Sequence, residues 1–248
     1  MDLPRRHHRI PSRHMGREMH LWRIGWWGRP VVVFPSAAGF AHEWEAHGML
    51  DALGELIARG RIKLYCTETN VARAWTRREE PPQERILHHL AFERYLLEEL
   101  VPFVRADCQS PDAPLATAGC SLGAFYSANV ALKHSTTFRW ALCMSGRYEA
   151  RSFTDGFSNM DVYFNNPLAY VPNLEGLALD RVRSHTHLVL VCGQGPWEEG
   201  CIEETRALAD LCRVKGIPHT RDIWGHDVAH EWGWWKRQAV FHLGRAFG

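Results

Sequence analysis

Apolar positions along this chain recur with two different rhythms, and the two alternate from one end to the other. EMHLWRI and VVVF read as two strands joined by a short turn near Trp26–Gly28, an antiparallel N-terminal hairpin. VVVF, at 31–34, is wholly apolar, as expected of a strand covered on both faces. GMLDALGELIARG then places Met49, Leu50, Leu53, Leu56 and Ile57 on one helical face, with a glycine as a stop. IKLYCTE is the next strand. PPQERILHHLAFERYLLEELVPFVRAD predicts one long helix that opens on prolines and is kinked near its end by Pro102. PLATAG (strand), SLGAFYSANVALKH (helix), FRWALCMSG (strand), HLVLVCG (strand), IEETRALADLCRVKG (helix), PHTRDIWG (strand) and EWGWWKRQAVFHLGRAF (helix) complete the pattern. Such alternation implies an α/β fold: a mainly parallel, twisted sheet of about eight strands with helices on both faces. The long interruption at about 145–185 is rich in Asn, Pro, Gly and aromatics, and is expected to be a lid-like insertion in a single domain spanning 19–248.

Composition narrows the functional classes. The 248 residues are 46% hydrophobic and 23% charged, enough for a sizeable core, and the net charge of +1 sets up no field for nucleic acid or a membrane surface. No apolar run approaches the roughly 18 residues of a membrane span. Residues 1–18 are basic without an apolar h-region, so they read as a solvated leader rather than a secretory signal. The seven cysteines are odd in number, and Cys66, Cys143 and Cys192 fall in strand-like segments. They predict buried small hydrophobes in a reducing, cytoplasmic setting, with neither disulfides nor a zinc knuckle.

Candidate chemistry centres on AGCSLGAF. Gly119, Ser121 and Gly123 form G-x-S-x-G between a predicted strand and a predicted helix, the context of a nucleophile elbow. A sharp turn there exposes Ser121 Oγ, and the Leu122 N–H at the helix start would face a bound carbonyl oxygen. A tight strand–helix turn without chemistry would need the same glycines. A serine nucleophile also requires a base and an acid, in the chain order Ser, acid, His. QGPWEEGC after HLVLVCG offers Glu198 and Glu199. IWGHDVAHEW after the last strand offers His226 and His230. The H-D-x-x-H spacing is close to that of helical zinc sites, but the helix signal begins only near Glu231 and no third ligand follows, so no metal is expected.

VVVFPSAAG, GCSLGAF, VYFNNPLAYVPNL and HEWGWW together resemble the esterase group of α/β-hydrolases that includes S-formylglutathione hydrolase, feruloyl esterases and mycolyltransferases, in its compact bacterial members. The resemblance covers nearly all of residues 19–245 and implies the α/β-hydrolase fold for the 19–248 domain. The family pattern H-x-W-x-W-W falls on His230, Glu231, Trp232, Gly233, Trp234 and Trp235, which implies His230 as the base. Gly233 departs from the usual proline. Glu198 lies nearer the strand end and matches the family offset for the acid, where many relatives carry aspartate; Glu199 is then expected to cap the following helix. By the same resemblance the second oxyanion donor is the Ala37 N–H, with Ser36 as the alternative.

These residues describe a cofactor-free serine esterase acting through a covalent acyl-enzyme on a small-molecule or acylated ester. An acyltransferase on the same triad, or a hydrolase scaffold serving only to bind, would present the same motifs. No nucleic-acid or membrane partner is expected, and homo-oligomerisation is compatible with the chain.

Overall fold

The computed structural model describes residues 3–248. Eight strands form one sheet: β1 (Arg5–Ser12), β2 (Arg17–Ile24), β3 (Arg29–Phe34), β4 (Ile62–Thr67), β5 (Leu115–Cys120), β6 (Phe138–Met144), β7 (His187–Cys192) and β8 (His219–Ile223). Their order is β1-β2-β4-β3-β5-β6-β7-β8. β1 with β2 and β2 with β4 are antiparallel, and every other pairing is parallel.

The all-apolar run in β3 has a direct cause. Successive side chains point to opposite faces of a strand. Val32 and Phe34 enter one core with Tyr65, Phe92, Tyr95 and Phe125. Val31 and Val33 enter the other with Trp44, Met49, Leu53, Ile57 and Trp235. Helices therefore cover both faces: α1 (Glu43–Ala46), α2 (Met49–Ala52), α3 (Gly54–Ala58), α4 (Pro82–Tyr95), α5 (Val101–Asp107), α6 (Leu122–Lys133), α7 (Met160–Tyr163), α8 (Pro167–Tyr170), α9 (Gly176–His185), α10 (Cys201–Lys215) and α11 (Trp232–Phe247).

Four local expectations change. Most of the stretch read as a solvated leader is strand: residues 5–12 pair with β2 from Arg5↔Ile24 to Ser12↔Arg17, and residues 1–2 lie outside the described chain. Ile10 is the one large aliphatic side chain in β1, so no period-2 signal marks it; backbone hydrogen bonds hold it, and its arginines and histidines make a charged edge strand. The N-terminal hairpin is accordingly β1–β2. β2 and β3 are joined through the Trp26–Gly28 bend, but β4 lies between them. The helix expected over 81–107 widens to a π turn at Leu96–Leu100, just before Pro102. Proline supplies no N–H and its ring crowds the carbonyl four residues back, and the wider turn relieves both. The apolar stripe at 49–57 is broken at Leu53 into α2 and α3.

The 145–185 segment joins β6 to β7 and contains α7, α8 and α9. Tyr148, Ala150, Val162, Tyr170 and Val171 are buried in the core. Its Asn165 accepts hydrogen bonds from Asn129 Nδ2 (2.9 Å) and Lys133 Nζ (2.8 Å) on α6, and Oδ1 lies 3.0 Å from His89 Nε2 on α4.

Candidate active site

Ser121 stands between the end of β5 and the first residue of α6, with φ +55° and ψ −121°. A non-glycine residue at this φ is strained and persists only where its surroundings hold it. Its N–H donates to Met144 O at 2.8 Å, tying the turn to β6. The flanking glycines are demanded by close approach. A Cβ on Gly119 would lie 2.4 Å from the Gly123 carbonyl, and one on Gly123 would lie 2.4 Å from Phe34 O. The elbow is thereby pressed against the end of β3, beside the 35–39 loop. Leu122 opens α6, so its N–H has no acceptor within the helix.

Ser36 in that loop is already engaged. Its N–H and its Oγ–H both donate to the buried Glu43 carboxylate, at 2.5 Å each. The Ala37 N–H has no acceptor among the described residues. Composition or periodicity could not reveal Glu43, because it acts from α1 across a loop.

Glu198 is almost wholly buried, 1% exposed, on the loop after β7. Its Oε1 accepts from Ser145 Oγ (2.6 Å) and Gly193 N (3.3 Å), and its Oε2 accepts from the Cys192 thiol (3.3 Å). Oε2 also lies 3.3 Å from His230 Nδ1. Burial opposes the charged carboxylate, but the hydrogen bonds from His230 and Ser145 outweigh it and hold the Glu198 pKa below the usual carboxylate value. Ser145, at φ +53° and fully buried, in turn accepts from Trp235 Nε1 at 3.0 Å. Ser145 and Trp235 thus complete a chain of donors into Glu198 that the sequence did not reveal. Trp235 belongs to the H-x-W-x-W-W stretch, where tryptophan is readable but its partner is not.

His230 arrives from the loop before α11. Three backbone hydrogen bonds dock that loop on the Glu198 loop: Gln194 N to Gly225 O (3.1 Å), Gly195 N to Val228 O (2.9 Å) and His230 N to Pro196 O (3.0 Å). The His230 ring also sits edge-on to Trp235, centroids 4.8 Å apart. The Cys201 sulfur is 4.0 Å from His230 Nδ1, and burial pushes that thiol up to about 12. Glu199 and His226 are exposed and have no part in this network. The capping expected of Glu199 falls to Glu203, whose carboxylate accepts from Gly200 N at 2.5 Å. Ser121 Oγ has no hydrogen-bond partner among the described residues. A buried carboxylate on an imidazole, a strained serine at a helix start and an unpaired loop N–H together suit acyl transfer.

The family model described as Putative esterase matches residues 30–244. No curated protein matches this chain. Among solved structures, a ferulic acid esterase superposes with a TM-score of 0.75 at 16% identity, covering 100% of this chain and 99% of the other. MPT51 of Mycobacterium tuberculosis gives 0.75 at 16%, covering 99% and 98%. S-formylglutathione hydrolase of Staphylococcus aureus gives 0.72 at 13%, covering 100% and 97%. At these identities the likeness is one of fold, and that fold is the α/β-hydrolase fold.

Proposed function

Because the chain belongs to the Putative esterase family and is a carboxylic ester hydrolase, we propose that it works through a Ser121–His230–Glu198 triad and a covalent acyl-enzyme. The observation that carries this reading is the buried Glu198 carboxylate, 3.3 Å from the Nδ1 of His230. A carboxylate there keeps the proton on Nδ1 and leaves Nε2 free to accept one. Ser121 Oγ attacks the ester carbonyl carbon while its proton passes to Nε2. The Leu122 and Ala37 amides receive the oxyanion; the Ser36 amide is spent on Glu43, which favours Ala37. The tetrahedral adduct collapses as His230 returns the proton to the departing alkoxide. Water then attacks the acyl-enzyme with the same base, releasing the acid and restoring the serine.

The substrate class is a small-molecule ester. No described helix is long and apolar enough to cross a membrane. All seven cysteines are free, six of them buried, which supports a reducing, cytoplasmic setting.

The test is labelling by a fluorophosphonate together with p-nitrophenyl ester hydrolysis. Ser121→Ala is expected to abolish labelling and to lower the rate on the order of a millionfold with circular dichroism unchanged. His230→Ala should be nearly as severe and His226→Ala mild. Undiminished turnover in Ser121→Ala would sink the triad.

A further inference from the structure

The mechanism leaves one buried soft donor beside the acid and the base unused. Cys201 opens α10, three residues after Glu198, and its sulfur lies 4.0 Å from His230 Nδ1. Glu198 Oε2 lies 3.3 Å from the same nitrogen, and one donor atom from each of the three residues falls within 4.8 Å of the others. A tetrahedral zinc ion, with bonds of about 2.0–2.3 Å to O, N and S, spaces its donors about 3.3–3.6 Å apart. The nitrogen–oxygen pair already has that spacing, the sulfur–nitrogen pair needs to close by only a few tenths of an ångström, and the sulfur and the carboxylate oxygen lie within 4.8 Å. The donors also differ in type: a thiol, an imidazole and a carboxylate suit a borderline-soft divalent cation and not magnesium or calcium, which take oxygen. Glu198 and Cys201 are fixed by burial, while the His230 side chain is 19% exposed and opens the cluster to solvent.

We propose that Glu198, Cys201 and His230 form an inhibitory site for zinc or a similarly thiophilic divalent cation, which switches the hydrolase off by capturing its acid and its base. This inference rests on His230 being the general base. The chemistry of inhibition follows from the tautomer. In the active state Nδ1 carries the proton and Nε2 carries the lone pair that receives the Ser121 proton. A cation bound through Nδ1 takes the place of the proton there, so the single imidazole proton moves to Nε2 and the nitrogen facing the serine becomes a donor. The Cys201 thiol proton passes to solvent as the sulfur–metal bond forms. Glu198 turns from orienting the ring to ligating the cation. Nothing is oxidised or reduced, and removal of the ion restores both groups.

The experiment uses the full chain in a non-chelating buffer. Zinc chloride is titrated against p-nitrophenyl acetate hydrolysis, and zinc binding is followed in parallel by calorimetry for the wild type, Cys201→Ser, Cys201→Ala and His230→Ala. The ratio of turnover with and without zinc is read for each active protein, so any change in zinc-free turnover cancels. The exposed His7–His20 pair, whose ring nitrogens are 2.9 Å apart, is present in all four proteins and cancels likewise. One zinc equivalent is expected in the wild type that is missing from all three variants. Wild-type turnover should fall with its occupancy and return on adding EDTA, with no response to magnesium. Both Cys201 variants should need at least roughly tenfold more zinc for half-inhibition, as loss of a ligand costs no less than loss of an outer partner. Cys201 variants that bind and respond like the wild type would overturn the proposal, as would a wild type that zinc does not inhibit. If the wild type has no turnover at all, the triad reading fails instead, and the Cys201- and His230-dependent zinc equivalent still decides whether the site exists.

Discussion

Glu198 and Glu199 are adjacent and chemically identical, yet one is 1% exposed and the other faces solvent. Adjacent side chains off a tight loop diverge, so only one can meet an imidazole. Glu198→Gln is expected to lower kcat on the order of 10⁴-fold, since an amide cannot stabilise the imidazolium and can hold the wrong tautomer. Glu199→Gln should stay within about twofold of wild type; steady-state ester hydrolysis reads both, and a reversed ranking refutes the assignment of the acid. Ser145 extends the same logic one step outward. Its hydroxyl is a donor to Glu198 at 2.6 Å, and a hydrogen bond to a charged group is worth about 1.5–3 kcal/mol. Ser145→Ala should therefore reduce kcat by about tenfold or more with KM nearly unchanged. An unchanged kcat would mean that Gly193, Cys192 and His230 hold the carboxylate unaided.

At the level of elements, α4 and α6 grip the 145–185 segment through a buried polar cluster. His89 on α4 is 2% exposed, and its Nδ1 has no partner among the described residues. Burial lowers its pKa to about 4. Glu93 nearby is lowered as well, for a different reason: burial would raise it, but the His134 and Lys133 contacts prevail and hold it at about 2. The sign for His89 follows from linkage. Between pH 4 and about 6.5 the unfolded chain binds a proton there that the folded chain does not, so stability falls as pH drops through that window. The slope reaches at most about 1.4 kcal/mol per pH unit. Glu93 acts in a lower window, from about pH 4.3 down to about 2, where its stabilising charge is lost. Denaturant unfolding of wild type and His89→Gln across pH 4–7 should show a shallower pH dependence in the variant. Parallel curves would remove His89 as the cause.

Over the whole molecule, the parallel part of the sheet delivers chemistry to one edge. Ser121 follows β5, Glu198 follows β7 and His230 follows β8, and the 35–39 loop follows β3, so all sit beyond the carboxyl ends of parallel strands. β1 lies at the far edge of the sheet, four strands from β5, and its contribution is to stability. Deleting residues 1–12 exposes the β2 edge along eight paired positions. The deletion is expected to lower Tm by roughly 5 °C or more, measured by thermal unfolding. An unchanged Tm would return this segment to the role of a solvated leader.

What the chain's own order determined is whatever a local pattern must obey. The alternation of strand and helix, the buried β3 run and the G-x-S-x-G turn are legible because side-chain period and close backbone approach constrain neighbouring residues directly. So is the order of serine, glutamate and histidine, which assigns each to its own strand end. What only the tertiary structure decided are relations between distant residues. β1 reads as a leader because its stability comes from pairing with β2, not from its own side chains. β4, buried at all six positions, enters between β2 and β3 and pairs along both edges, a place that the order of strands in the chain does not give. The donors from Trp235 through Ser145 to Glu198, and the Glu43 carboxylate that engages Ser36, span 90, 53 and 7 residues respectively. Such contacts leave no periodic trace: a hydrogen bond depends on where folding brings two atoms, and sequence spacing does not encode that distance.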